Sequence, residues 1–108
     1  MALVERTNRV ELQLPVEVRG EDALGARFTE LTHSLNVSGG GILFESHRQV
    51  PVGARLTLRI ELPPMLRHRF SNSDSYSALA VVCRVEQLEG GPTRRVGARF
   101  VDSAGRSR

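Results

Sequence analysis

Apolar and polar residues alternate along most of this chain with a period of two, the pattern of β-strands that bury one face. The clearest case is the segment Arg55–Leu62, whose apolar side consists of Leu56, Leu58, Ile60 and Leu62. The same alternation, or a short apolar run, predicts further strands over residues 10–18, 28–35, 42–44, 76–88 and 94–101. No helical period of 3.6 residues persists for three turns, so the sequence predicts an all-β protein.

Glycine and proline mark the predicted connections between these strands. Residues 19–27 are predicted to form a hairpin connection, and residues 36–41, with three consecutive glycines, a loop with unusual backbone angles. Residues 65–75, which follow Pro63-Pro64, are predicted to form a long mobile loop, and Gly90-Gly91-Pro92 a hairpin turn. Six or seven short strands joined in this way predict a small antiparallel β-barrel with little helix, because closure removes exposed sheet edges.

A chain of 108 residues suits one domain. We expect a flexible arm over residues 1–9, a barrel over residues 10–102 and a disordered tail over residues 103–108. The 15 basic residues are all arginine, whose planar forks pair with phosphate and stack on bases. The net charge is only +3, which does not by itself indicate binding to a nucleic-acid polymer.

The cysteine content and the hydropathy of the chain indicate the cellular compartment in which the protein lies. Cys83 is the only cysteine and lies in an apolar run, where it is predicted to be a small buried side chain. No apolar stretch approaches the roughly 18 residues of a membrane span, and residues 1–9 lack the apolar core of a signal peptide. We therefore expect a soluble cytoplasmic protein that does not insert into membranes.

The residues that carry chemistry in enzymes are not arranged here for catalysis. His33, His47 and His68 are isolated from one another and lack the spacing of metal ligands. Ser38 is not framed by a nucleophile elbow, and the glycine run lacks the Lys-Ser/Thr ending of a phosphate-binding P-loop. The sequence predicts a protein that is not an enzyme and that holds no metal or cofactor.

Four short segments occur in an order that is characteristic of one family. Arg9 precedes the first strand, and the segment Asn36–Gly41 has an Asn, a Ser two positions later and a Gly five positions later. A Val52-Gly53 turn precedes the strand at Arg55, and the last strand contains the sequence Val96-Gly97-Ala98-Arg99-Phe100. Over about residues 6–102 the chain resembles the PilZ domain family, whose fold is a small, split β-barrel.

The resemblance implies a ligand, since the PilZ family binds the bacterial second messenger cyclic di-GMP, a dianion with two guanines. An arginine fork can meet guanine O6 and N7 or a phosphate, and Asn and Ser side chains can bond base edges. The resemblance implies contacts from Arg6, Arg9, Asn36, Ser38, Gly40 and Gly41. It also implies a receptor in which the ligand orders the N-terminal arm on the barrel and thereby signals to a protein partner.

One residue departs from the family pattern. The family has two arginines separated by three residues, but the position four before Arg9 is Glu5, whose carboxylate repels phosphate. Arg6 is the nearest replacement. Two interpretations therefore stay open, a cyclic di-GMP receptor and a degenerate PilZ-like interaction module that does not bind the nucleotide.

Overall fold

In the computed structural model, which describes residues 13–70 and 73–103, six strands form one closed antiparallel barrel. Their bounds are β1 Pro15–Glu21, β2 Arg27–Val37, β3 Gly41–Ser46, β4 Arg55–Glu61, β5 Ser75–Gln87 and β6 Arg94–Ser103. Around the barrel they follow the order β1-β2-β3-β6-β5-β4. The predicted all-β barrel with little helix is confirmed. The predicted arm and most of the predicted tail lie outside the described residues, whereas Ser103 belongs to β6.

The barrel interior is filled by every second side chain of each strand. In β4 the three inward side chains are almost completely buried, at 1%, 0% and 0% exposure for Leu56, Leu58 and Ile60. Val96 and Ala98 of β6 face the same core, as their alternation predicts. Burial of one aliphatic side chain contributes about 1.5–3 kcal/mol, so this shared interior is the main source of stability.

β2, β3 and β6 are longer than the alternation predicts, and the connections on either side of β2 are shorter. β1 continues to Glu21 and β2 begins at Arg27, which reduces the predicted hairpin connection to residues 22–26. The Asp22 carboxylate closes this turn by accepting hydrogen bonds from the N–H groups of Leu24 at 2.9 Å and Ala26 at 3.0 Å. The backbone hydrogen bonds between β1 and β2 continue through polar residues here, because they depend on backbone groups of the neighbouring strand and not on the hydropathy of the side chains.

The segment after Pro63 is not the predicted long loop. Residues Pro64–Leu66 form a 3-10 turn, and Arg67–Phe70 form a single turn of α-helix, α1. Leu66 is 6% exposed, and its N–H donates to the Pro63 carbonyl at 2.9 Å, so one buried leucine fixes this turn on the end of the barrel. Within the described residues, no helix has the length and apolar character needed to span a membrane.

The prediction that Cys83 is buried is wrong, because Cys83 follows the inward-facing Val82 and therefore lies on the outer side of β5. β5 also contains a bulge at this residue. Val82 pairs with Ala98 and Arg84 pairs with Gly97, so Cys83 is the extra residue between two consecutive pairs. A bulge changes which side of the strand the following residues face. Val82 stays in the core at 1% exposure, while the Cys83 thiol is exposed.

Two opposite ends of the barrel can be defined from the strand directions. The loop end carries the β2–β3 loop at residues 38–40, the start of β1 and the β4–β5 connection. The opposite end carries the β1–β2 turn, the β3–β4 connection and the β5–β6 turn, in which Gly90 has a φ of 82°. The chain that precedes Pro15 therefore reaches the barrel at the loop end.

The exposure of Cys83 makes a prediction about thiol reactivity. In the folded protein Cys83 should react with a thiol-specific reagent nearly as fast as in the unfolded chain, because its side chain is exposed. The control is the cysteine introduced by Val82→Cys in a Cys83→Ser background, which should be strongly protected in the core. Equal protection of the two thiols would contradict the outward position of Cys83 in β5.

Candidate functional site

The segment that resembles the family motif forms a tight loop between two barrel strands. Asn36 lies in β2 and Gly41 begins β3, so the loop itself is only residues 38–40. The Ser38 N–H donates to the Gly41 carbonyl at 2.9 Å, and the Ser38 Oγ accepts from the Gly40 N–H at 3.2 Å. The Gly40 carbonyl accepts from the Phe100 N–H at 2.9 Å. The loop is thus fixed both to itself and to β6.

The three consecutive glycines do not have the predicted unusual backbone angles. In the part of the chain that is described, the glycines with positive φ are Gly25, Gly53 and Gly90. A Cβ on Gly41 would lie 2.5 Å from the Ala98 carbonyl oxygen of β6, so Gly41 allows β3 and β6 to approach each other. A Cβ on Gly39 would meet nothing within 4 Å. Packing therefore explains Gly41 but leaves Gly39 unexplained.

An open pocket of about 480 Å³ lies beside this loop on the outer face of β3, β6 and β5. Gly97 forms part of its floor, where a Cβ would be 3.7 Å from the Arg84 Cβ and 3.9 Å from the Leu43 Cδ1. The other lining residues that matter here are Ser38, Gly40, Gly41 and Arg99. The motif residues and two arginines of later strands thus share one concave surface.

Asn36 lies near this pocket but does not line it. It pairs with Leu43 of β3, Leu43 pairs with Gly97 of β6, and Gly97 pairs with Arg84 of β5. These four residues form one row across the outer face, and half-buried Asn36 is at its end. Of the predicted contacts, Ser38, Gly40 and Gly41 meet at the pocket and Asn36 extends the row. Arg6 and Arg9 lie outside the described residues, as does Glu5.

Sequence reasoning missed Arg84 and Arg99 as candidate contacts. Both are exposed, and among the described residues neither guanidinium has a carboxylate partner within ion-pair distance. The alternation of β6 does indicate that Arg99 faces outward, because the preceding residue, Ala98, faces the core. No local pattern indicates that β6 lies beside β3, and the bulge at Cys83 determines where Arg84 lies.

Other chemistry finds little support in the described part of the chain. No group of three or more His, Cys, Asp or Glu side chains there is placed to hold a metal ion. The His33 Nε2 lies 3.7 Å from the Glu45 Oε1, and the His47 Nδ1 lies 3.6 Å from the Glu30 Oε2. Each is a single pair on the barrel surface. The hydroxyl, the backbone N–H groups and the arginine forks at the pocket are groups of the kind that can bind an anion.

Comparison with known families decides the classification. The PilZ domain model matches residues 4–108, essentially the whole chain. The chain belongs to the PilZ domain family. No curated protein matches it.

Two solved structures share the fold of this PilZ domain. The Bacillus subtilis inhibitor of motility (MotI/DgrA) is 23% identical with a TM-score of 0.67, over 90% of this chain and 42% of that one. K. pneumonia MrkH in its apo state is 15% identical with a TM-score of 0.59, over 87% of this chain and 41% of that one. The chain therefore spans less than half the length of either protein, and at these identities the likeness is one of fold.

The glycines make a prediction about the packing of β3 against β6. Gly41→Ala should destabilise the protein by about 1–3 kcal/mol, because the new Cβ meets a backbone oxygen that no side-chain movement can relieve. Gly39→Ala is the matched control and should change the free energy of unfolding by less than about 0.5 kcal/mol. Urea denaturation measures both. Equal stability of the two variants would contradict the close approach of β3 to β6.

Proposed function

We propose that this PilZ domain is a non-enzymatic receptor for cyclic di-GMP, which binds on the outer face of β3, β6 and β5 beside the β2–β3 loop. The observation that carries the proposal is the meeting of Ser38, Gly40 and Gly41 with Arg84 and Arg99 at one pocket. Its volume of about 480 Å³ lies within the range of roughly 300–1,000 Å³ that is usual for small-molecule sites.

The two arginines match the charge of the ligand. Cyclic di-GMP carries two phosphates, and a guanidinium fork bonds a phosphate or the O6 and N7 of guanine with two parallel N–H donors. The surface between Arg84 and Arg99 is flat, because Gly97 of β6 and Gly41 of β3 have no side chains there. A flat guanine could therefore lie against the strand backbone between the two forks.

The loop supplies neutral hydrogen-bonding groups. The Ser38 oxygen already accepts from the Gly40 N–H, so its hydroxyl hydrogen is the group that would donate to the ligand. Gly39 and Gly40 leave the outer side of the loop bare, which lets a ligand approach the backbone closely. Asn36, at the end of the row, would offer its amide to a base edge.

The N-terminal arm starts close enough to take part. Arg9 precedes Leu14 by five residues, and five extended residues span about 17 Å. β6 is three strand positions from β1, a distance of about 14 Å at the usual spacing of about 4.8 Å. Arg6 and Arg9 can therefore reach the pocket from the loop end, and we infer that the ligand orders them against the barrel.

The interaction module without a nucleotide is the second candidate, and Glu5 is the residue that favours it. A carboxylate at the place of a family arginine weakens the attraction for phosphate. Arg84 and Arg99 supply positive charge at the pocket from the barrel itself, which is why we favour the receptor.

A first binding prediction concerns the two barrel arginines. Arg84→Ala and Arg99→Ala should each weaken cyclic di-GMP binding by about 1–2 kcal/mol, roughly five- to thirtyfold, since a charge-assisted contact is lost at a partly exposed site. Calorimetric titration at moderate salt measures the change. Arg27→Ala, at an exposed arginine of the opposite end, is the matched control and should leave affinity unchanged. An equal loss in all three variants would place the ligand elsewhere.

A second binding prediction concerns Glu5. Glu5→Arg should tighten binding a few-fold to tenfold, because one charge pair some 6 Å apart is worth about 0.7–2.8 kcal/mol at an effective dielectric of about 20–80. The gain should shrink as salt is added. Glu5→Gln removes the charge without adding a fork and should recover part of the gain. If the parent does not bind and Glu5→Arg does not restore binding, the interaction-module hypothesis is the better one.

A further inference from the structure

The tip of the β5–β6 hairpin has a free strand edge. β4 pairs with β5 only as far as Val81, and the last backbone bonds on that side are those of Val82. From Arg84 to Gln87, β5 pairs with β6 alone. Among the described residues, no other strand or loop bonds the backbone of this stretch on its second side. An unpaired edge of this kind is able to take up another strand.

The ladder between β5 and β6 fixes which backbone groups point to that edge. The Leu88 N–H donates to the Thr93 carbonyl at 3.2 Å, so these two residues bond each other across the hairpin. Hydrogen-bonded and non-bonded pairs alternate along an antiparallel ladder, and the register is unbroken over Arg84–Gln87. The N–H and carbonyl groups of Val85 and Gln87 therefore point to the free edge, and those of the other two residues bond β6.

The side chains along this edge carry opposite charges two residues apart. Arg84 and Glu86 are exposed on the outer side of β5, and Val85 between them packs partly against the core. Glu86 lies opposite Arg95 of β6, yet within the described part of the chain neither Arg84 nor Glu86 has an ion-pair partner. A strand with the order Arg-Val-Glu is complementary in charge to an antiparallel copy of itself.

One register of such a pair satisfies both the backbone and the charges. Residues that point to a shared antiparallel edge must lie opposite each other, which leaves three registers for Val85 and Gln87. With Val85 opposite Gln87, the Glu86 carboxylates of the two copies lie opposite each other and repel. With Gln87 opposite Gln87, Glu86 faces Leu88 and gains no partner. With Val85 opposite Val85, each Arg84 lies opposite a Glu86 of the other copy.

The same register gives an exposed apolar side chain a contact. Val52 is 65% exposed, and the N–H of the next residue, Gly53, donates to the Val82 carbonyl at 2.8 Å, which places Val52 at the end of the free edge. When Val85 lies opposite Val85, Leu88 of one copy lies opposite Val82 of the other. Leu88 would therefore meet Val52, and removing both side chains from water favours association.

We propose that two copies of this protein form a homodimer by antiparallel pairing of their free β5 edges, centred on Val85. This inference goes beyond the proposed function and does not depend on nucleotide binding. The contact uses few residues of each copy and is far smaller than the interface of a stable dimer. The association is therefore weak, with a dissociation constant of roughly 0.1–1 mM.

Charge reversal at the edge tests the pairing. Glu86→Arg places like charges opposite each other in the homodimer, and so does Arg84→Glu, so each variant should associate about tenfold more weakly than the parent. An equimolar mixture of the two variants again places opposite charges across the edge and should dimerise like the parent. Glu89→Arg makes the same charge change in the β5–β6 turn, outside the paired stretch, and is the matched control.

Sedimentation equilibrium of the full chain, from micromolar to millimolar concentration at low salt, measures the four samples and the parent. A parent that stays monomeric throughout would overturn the proposal. So would a mixture that does not dimerise, or a loss in Glu89→Arg as large as that in Glu86→Arg. A parent dimer that Glu86→Arg leaves intact would place the interface on another surface and would overturn it too.

A second measurement needs no variant. Amide hydrogen exchange, followed residue by residue, should show protection of the Val85 amide that rises with protein concentration, because its N–H is bonded only in the dimer. The Glu86 amide, which bonds β6, should be protected at every concentration. A Val85 amide whose protection does not change with concentration, while the parent dimerises, would overturn the pairing of these edges.

Discussion

The pairing of β3 with β6 is the contact on which both the barrel and the pocket depend. It joins residues from the middle of the chain to residues near its end, with Gly41 opposite Arg99 and Ser46 opposite Arg94. The two backbones approach so closely at Gly41 that a Cβ there would meet the Ala98 carbonyl. Without this ladder the sheet would keep two open edges, and the motif loop would have no arginines beside it.

Two of the three register shifts that the described strands contain determine which side chains face outward beside the β2–β3 loop. The bulge of β2 lies just before Asn36, and the bulge of β5 lies just before Arg84. Each adds one residue to one strand and so changes which side chains that follow it face outward. Asn36 and Arg84 consequently occupy the two ends of one row that crosses the outer face, with Leu43 and Gly97 between them.

The two ends of the barrel are stabilised differently. At the opposite end, Glu30 accepts hydrogen bonds from the Ser46 hydroxyl at 2.6 Å and from the His47 N–H at 2.8 Å, which ties β2 to the turn after β3. At the loop end, the chain relies on glycines, on the short loop and on the contact between Ser34 and Leu14.

The period-two alternation by itself determined the approximate strands and the inward set such as Leu56, Leu58 and Ile60. Glycine and proline determined the hairpin turn at Gly90 and the loop that carries Ser38. These are local properties, because the side-chain period of a strand and the needs of a turn involve neighbouring residues alone. Only the tertiary structure decided that Cys83 is exposed, that Leu66 fixes a helical turn after β4, and that Arg84 and Arg99 lie beside the motif. The positions of Arg84 and Arg99 depend on the register between strands that are far apart in the chain, because a shift of one residue in that register reverses which face a side chain occupies.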